Sequence, residues 1–302
     1  MNAIDRLIGL AGLKGTLDLH CRLEGDWSLD HPPLPPGEAA YHIVLRGECR
    51  LELPDSSVRH LSAGQILLLP HGMAHELRGG SGRGEVLRDT SGWLPRLRLG
   101  RPDEGLDMLC GRFLHAPGAT LFAALPEQVL VQFPAPGDGD PLGALVGLLR
   151  GEAEEERPGT GAVIDALSSA LFTLILRAYL AQQQDLSGVV ALLLDRRLGR
   201  AASALLEDLA RNWTVDELAR QARMSRSTFM RRFALLVSMS PLALLTRLRL
   251  ERARALLLGS SLGAGAIALE VGYQSQGSFT RAFRQAFGVA PGQFRQAART
   301  VR

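Results

Sequence analysis

One pattern is written twice near the end of this 302-residue chain, and it narrows sharply what that part can fold into. Leu218-Ala219, Phe229, Phe233 and Pro241 return as Ile267-Ala268, Phe279, Phe283 and Pro291. From Phe229, Phe233 and Pro241 the offset is 50 residues, whereas from Leu218 to Ile267 it is 49. The second copy therefore carries one extra residue before its first Phe, which places the insertion in a turn, where it costs least. Phe229, Phe233 and Val237, like Phe279, Phe283 and Phe287, recur at i, i+4 and i+8 and share one helical face. Each copy reads as a helix-turn-helix unit. Between them Pro241 to Leu258 reads as a single long helix opened by proline.

Charge supports a partner for this part. Residues 201–302 hold 15 Arg and no Lys against 6 Asp and Glu, while residues 1–200 hold 19 basic against 25 acidic side chains. A basic end on an acidic body implies a phosphate-bearing partner such as DNA. The second helix of each unit must turn polar side chains to base edges. The faces opposite the Phe rows carry Arg226, Ser227, Met230 and Arg231 in the first copy and Gln276, Gly277, Thr280 and Arg281 in the second.

Three cysteines at positions 21, 49 and 110 are an odd number without close spacing, which excludes a disulfide scaffold and points to a reducing cytoplasm. The N-terminus lacks the pattern of a signal peptide. Ala162 to Leu180 is apolar but contains Asp165 and Arg177, so it reads as a buried amphipathic helix with no role in a membrane.

Upstream of the repeat, strand patterns come first. Thr16 to Cys21 alternates, Tyr41 to Leu45 and Cys49 to Leu53 form a hairpin, and Gln65 to Leu69 leads into His71-Gly72-Met73-Ala74-His75. Asp30 to Gly37, with four prolines, is expected as a loop, as is Gly79 to Gly105. Leu106 to Leu114 and Thr120 to Phe122 are expected to resume the sheet. Helices are expected from Leu142, from Gly161 to about Gln184, and from Leu186. The expected fold class is α+β: an antiparallel β-barrel or sandwich with flanking helices over residues 1–200, and an all-α domain with two helix-turn-helix units joined by a long helix over residues 201–302.

Trp213-Thr214-Val215-Asp216-Glu217-Leu218-Ala219, Met224-Ser225, Phe229 and Phe233, together with Val271-Gly272-Tyr273, Ser278-Phe279, Phe283, Phe287-Gly288 and Phe294-Arg295, resemble the AraC/XylS-type transcription regulators with a cupin-like N-terminal domain. The resemblance implies a sequence-specific activator that binds promoter DNA, works with RNA polymerase, forms a homodimer and responds to a small-molecule effector or an oxidant. It places base-contacting Arg at Arg231 and Arg281, and further contacts at Ser227, Met230, Gln276 and Ser278. Arg suits guanine and Gln suits adenine. Arg226, Arg232, Arg284 and Arg295 are expected to bind phosphate or to be surface charge. Because the two copies differ at their readers, they are expected to read different sequences.

The signal has three readings. Thr16 to Cys21, followed by Asp26-Trp27, resembles the opening of relatives that respond to reactive chlorine, which implies a redox role for Cys21 and for Cys110; a thiol beside His20 would be held partly as thiolate. A small apolar or aromatic ligand in the barrel is the second. A metal on His42 and His75, with His20 and His31 nearby in the chain, is the third, and with it the alternative of a cupin metalloenzyme carrying an appended helical domain. The first motif lacks the His-x-His plus Glu set, leaving His42 with Glu48 at the turn, so hydrogen-bonded histidines, no cofactor and no catalysis are expected.

Overall fold

The computed structural model describes residues 2–300 apart from 82, 83, 85, 102, 103, 135–138, 156 and 183–185. It divides into two compact units: Leu13–Gly118 with Leu125–Gln184, and Met1–Gly12 with Ala119–Ala124 and Asp185–Arg302.

The chain opens on α1 (Ala3–Ala11), which Asn2 and Asp5 start with a reciprocal capping box and Gly12 ends in the left-handed conformation. Next come β1 (Lys14–Leu23), β2 (Trp27–His31), β3 (Glu38–Arg46), β4 (Glu48–Glu52), β5 (Val58–Ser62) and β6 (Gln65–Leu69). They are followed by β7 (His75–Gly79), β8 (Leu87–Asp89), β9 (Arg96–Leu99), β10 (Leu106–Leu114) and β11 (Val129–Gln132). One sheet has the order β11-β6-β3-β10-β1-β9-β8 and the other β2-β7-β4-β5. Leu23, Val44, Leu67 and Met108 of the first meet Trp27, Leu51, Leu61 and Leu77 of the second in one buried core. Apolar-in alternation on both sheets forces this arrangement.

The barrel departs from expectation in three places. Asp30 and His31 end β2 and pair with Glu76 and His75 of β7, so the strand runs up to the first proline. Proline excludes its own position from the ladder; the residues before it remain free to pair. The expected loop at 79–105 contains β8 and β9, and β9 pairs parallel to β1, an exception to the antiparallel pattern. Its alternation, Arg96-Leu97-Arg98-Leu99, is masked by Gly and Arg around it. Thr120 to Phe122 does not return to the sheet; Phe122–Ala124 is a 3-10 turn grouped with the helical unit. Leu121 and Phe122 are buried, and a short apolar run looks the same in a strand and in a buried turn.

α2 (Pro141–Glu155) and α3 (Thr160–Gln182) pack on each other, and α3 lies along β1. Gly15 permits that approach: a side chain there would run into the backbone of Ser168. α3 is long and apolar enough to cross a membrane, and it buries Ile164, Leu171, Phe172 and Ile175 within the barrel unit. Its expected end at Gln184 lies outside the described residues.

The helical unit continues with α4 (Gly188–Leu194), α5 (Leu198–Glu207), α6 (Val215–Gln221), α7 (Arg226–Leu236), α8 (Pro241–Gly259), α9 (Ala264–Glu270), α10 (Gln276–Phe287) and α11 (Pro291–Thr300). Residues 222–225 separate α6 from α7, and residues 271–275 separate α9 from α10, so the extra residue does sit in the turn. Both turns need a left-handed residue, Arg223 in the first and Gly272 in the second. Any side chain at 272 would meet the Ala210 carbonyl and the Arg249 guanidinium. Within this unit α1 packs on α5 and α8, and Glu251 of α8 accepts hydrogen bonds from the Thr120 backbone N–H (2.8 Å) and hydroxyl (2.5 Å).

Candidate functional site

Each recognition helix starts from a serine cap. Ser225 accepts from the Thr228 N–H at the head of α7, and Ser275 from the Ser278 N–H at the head of α10. These caps satisfy otherwise orphaned donors and fix the angle at which each helix leaves its turn. α6 begins with a Thr214–Glu217 capping box. There the Arg211 guanidinium, and then Thr214, hold the Glu217 carboxyl down to about 2. Phe229 and Phe233 turn inward from α7, as do Phe279 and Phe283 from α10, where Phe287 and Phe294 extend the ring cluster.

The opposite faces point away from these rings. Ser227, Arg231, Gln276 and Arg281 are exposed, and Met230, Ser278 and Thr280 are half-buried. Arg231 and Arg281 have no hydrogen bond or ion pair among the described residues. Arg226 differs, because its guanidinium pairs with Asp216 at 2.6 Å and ties α7 to α6. Ser278 is partly committed to its cap, its hydroxyl donating to the Ser275 carbonyl at 2.9 Å. Arg295 corrects an expectation: it donates to the carbonyls of Leu257 (3.0 Å) and Leu262 (2.6 Å), closing the C-terminal end of α8.

Inside the barrel unit the sheet registers assemble a second cluster. His42 stands opposite Cys110 across β3 and β10, and His31 stands opposite His75 across β2 and β7. The two cross-strand pairs meet in the interior. His42 Nδ1 lies 3.1 Å from Cys110 Sγ, and His42 Nε2 lies 2.8 Å from His75 Nε2. His75 Nδ1 bonds the Met73 carbonyl at 3.0 Å and His31 Nδ1 bonds the Leu29 carbonyl at 3.2 Å. The His31 ring stacks on His75, with centroids 4.5 Å apart. Burial lowers the pKa of all three, that of His75 to about 4 and that of His42 well below its ordinary value, so they are neutral imidazoles at physiological pH.

Cys21, Cys49 and Cys110 share the same core and all three are free thiols. A hydrogen bond with Cys21, and then burial, push the Cys110 thiol well above its ordinary pKa; burial pushes Cys49 up to about 12. His20 is engaged away from Cys21. Neighbours on a strand face opposite ways, and His20 bonds Asp107 at 2.7 Å. Glu48 is exposed on β4 and His31 takes the place beside His42. The prolines after His31 hid its strand from sequence reading, though not the residue; the alternation of Trp27, Leu29 and His31 is the signal that marks that strand.

Two capped helix-turn-helix units with outward arginines, in a chain that also carries a β-barrel, define a transcriptional regulator of the helix-turn-helix class. Residues 2–181 match the family described as Cupin and residues 218–297 that described as Helix-turn-helix domain. The HTH-type transcriptional regulator MtrA of Neisseria gonorrhoeae is 36% identical over 301 residues, covering 98% of each chain. RclR of Escherichia coli, an RCS-specific HTH-type transcriptional activator, is 32% identical over 307 residues, 100% of this chain and 99% of its own. An uncharacterized HTH-type transcriptional regulator of Haemophilus influenzae is 33% identical over 299 residues, 98% and 99% of the two chains. The chain belongs to the AraC family of helix-turn-helix transcriptional regulators, with the cupin domain at its N-terminal end.

Proposed function

We propose that the protein is a cytoplasmic activator that binds promoter DNA with α7 and α10 and works with RNA polymerase. In this reading residues 1–200 form the sensor and dimerisation domain and residues 201–302 the DNA-binding domain. The observation that carries it is the pair Arg231 and Arg281, exposed and without a partner among the described residues, at equivalent places of the two copies. Arg231 with Ser227 and Met230 reads one half-site; Arg281 with Gln276, Ser278 and Thr280 reads the other, while Arg226 holds the phosphate backbone near its Asp216 tether. The halves are unlike, so the site is asymmetric. The exposed Ala162 and Val163 side of α3 is the surface for a second copy of the chain. Arg281→Ala should weaken a specific promoter by about 1–3 kcal/mol in a gel-shift titration while leaving non-specific DNA unaffected. Equal loss on every sequence would reassign Arg281 to the phosphates.

The signal acts at the barrel, and the thiol pair favours an oxidant over an apolar effector. Leu19 pairs with Cys110 and Cys21 with Met108, so the two thiols are diagonal neighbours. Diagonal residues stand roughly 7–8 Å apart at Cα, beyond the ~4.4–6.8 Å of a disulfide, so linking them shifts β1 against β10. β1 follows α1, and β10 leads toward Ala119–Ala124; both of those segments pack in the helical unit. A protonated Cys110 sets a high threshold, met by a strong two-electron oxidant such as hypochlorite. Cys21→Ser should abolish hypochlorite-induced transcription of the target promoter and leave basal DNA binding intact. Induction that survives the substitution leaves an apolar effector in the barrel as the signal.

A further inference from the structure

We propose that the outer face of the barrel unit carries a binding site for a small organic monocarboxylate, built from β1, β9 and the end of α2 and separate from the barrel interior. Cys21 and Leu23 of β1, Leu97 of β9 and Met108 of β10 point into the core between the sheets. Alternation therefore turns their neighbours His20, Arg22, Arg96, Arg98 and Asp107 outward. The parallel pairing of β1 with β9 sets His20 beside Arg96 and Arg22 beside Arg98. Adjacent strands run about 5 Å apart and alternate residues of one strand about 7 Å apart, so these four side chains rise from the corners of a small rectangle.

A pocket of about 290 Å³ opens over this rectangle. The described residues that line it include Arg22, Arg96 and Arg98, with Glu154 as their one carboxylate. Its volume is near the lower end for small-molecule sites and suits one ring or a short chain. Asp107 lies beside the His20 corner, 1% exposed, accepting a hydrogen bond from His20 Nε2 at 2.7 Å, with Arg150 3.5 Å away. Burial opposes its ionisation, but the His20 hydrogen bond and the Arg22 and Arg150 charges outweigh burial and lower its pKa. The protein thus satisfies this carboxylate by itself.

The wall of the pocket is basic, and like charges side by side across strands are destabilising. Two of its arginines are tied to the end of α2: Arg22 donates to Glu154 at 2.5 Å and Arg96 to the Ala153 carbonyl at 3.2 Å. Arg98 is exposed and has neither a hydrogen bond nor an ion pair among the described residues; Asp89 of β8 acts on it only as a longer-range charge. A guanidinium fork matches a planar carboxylate through two parallel hydrogen bonds. One negative charge fits better than two, because Glu154 in the lining and Asp107 close by repel a dianion such as phosphate. The bound anion and the thiols are then read by one strand, since β1 carries Arg22 on its outer face and Cys21 on its inner one.

The test is calorimetric titration of the full-length protein with benzoate as the probe. One equivalent per chain should bind saturably, whereas benzamide, of the same shape without the charge, should not bind, and inorganic phosphate should not compete. Arg98 is exposed, so Arg98→Gln should keep the circular dichroism and melting temperature of the parent while weakening benzoate binding by at least about 10-fold. Arg98→Lys keeps the charge without the fork and should fall between the two. Absence of saturable benzoate binding, equal binding of benzamide, tighter binding of phosphate, or an affinity unchanged in Arg98→Gln overturns the site. Cys21→Ser should bind benzoate as the parent does. The titration contains no DNA and no oxidant, so its failure leaves the regulatory reading untouched, and failure of that reading leaves the titration valid.

Discussion

Phe283→Ala is expected to destabilise the helical unit by about 3–5 kcal/mol, a large share of the roughly 5–15 kcal/mol that holds a typical domain folded. Phe283 is fully buried, and its ring meets those of Phe279, Phe287 and Phe294 at centroid distances of 5.6, 4.5 and 5.5 Å. Truncation leaves a cavity at the centre of a cluster that joins α10 to α8, α9 and α11. Urea unfolding followed by circular dichroism measures the loss. Phe283→Leu, which retains most of the volume, should cost far less. DNA affinity separates this effect from that of Arg281→Ala on the same helix. Partial unfolding lowers binding on all sequences equally, whereas loss of a base reader lowers it only at the specific site. A Phe283→Ala protein as stable as the parent would mean that α11 and α8 can close over the gap.

Glu251→Ala should cost roughly 2–4 kcal/mol, because the Thr120 N–H and hydroxyl both lose their buried acceptor. Glu251 is 5% exposed, and its ion-pair partner among the described residues is Arg247, at 3.7 Å. Burial raises its carboxyl above the ordinary 4.5, more than the Thr120 bonds and the Arg247 and Arg254 charges lower it. A folded pKa above the unfolded one means that the folded state holds the proton longer. The contribution is therefore complete below about pH 4.5 and declines as pH rises through the folded value. Glu251→Gln keeps a carbonyl toward Thr120 without a buried charge, so it should cost less than Glu251→Ala and flatten this part of the pH profile. Melting temperatures of the three proteins between pH 4 and pH 8 decide the matter; a parallel profile in Glu251→Gln would mean that the carboxylate is solvated in solution.

The helix-turn-helix half was readable from the chain because its information is local. Periodicity within each copy set the inward faces, and comparing the copies located the extra residue in the second turn. Misreadings came from positions where local chemistry and tertiary role diverge. Four prolines made Asp30 to Gly37 look like loop, although the strand before them is intact through His31. Leu121 and Phe122 are apolar for the sake of the helical unit, not the sheet. Arg295 has the composition of a phosphate binder and the partners of a helix cap. His20 and Cys21 adjoin in the chain and face opposite sides of β1.

What the amino-acid sequence determined by itself is the pair of recognition helices and their basic faces, since helical periodicity, capping and charge act over a few residues and need no distant partner. Only the tertiary structure decided that His31, His42, His75 and Cys110 share one interior. They come from four strands in two sheets, and their meeting depends on the registers that set His31 against His75 and His42 against Cys110. A slip of one residue in either pairing would send a histidine to the opposite face, and that register is fixed by long-range packing of the whole core.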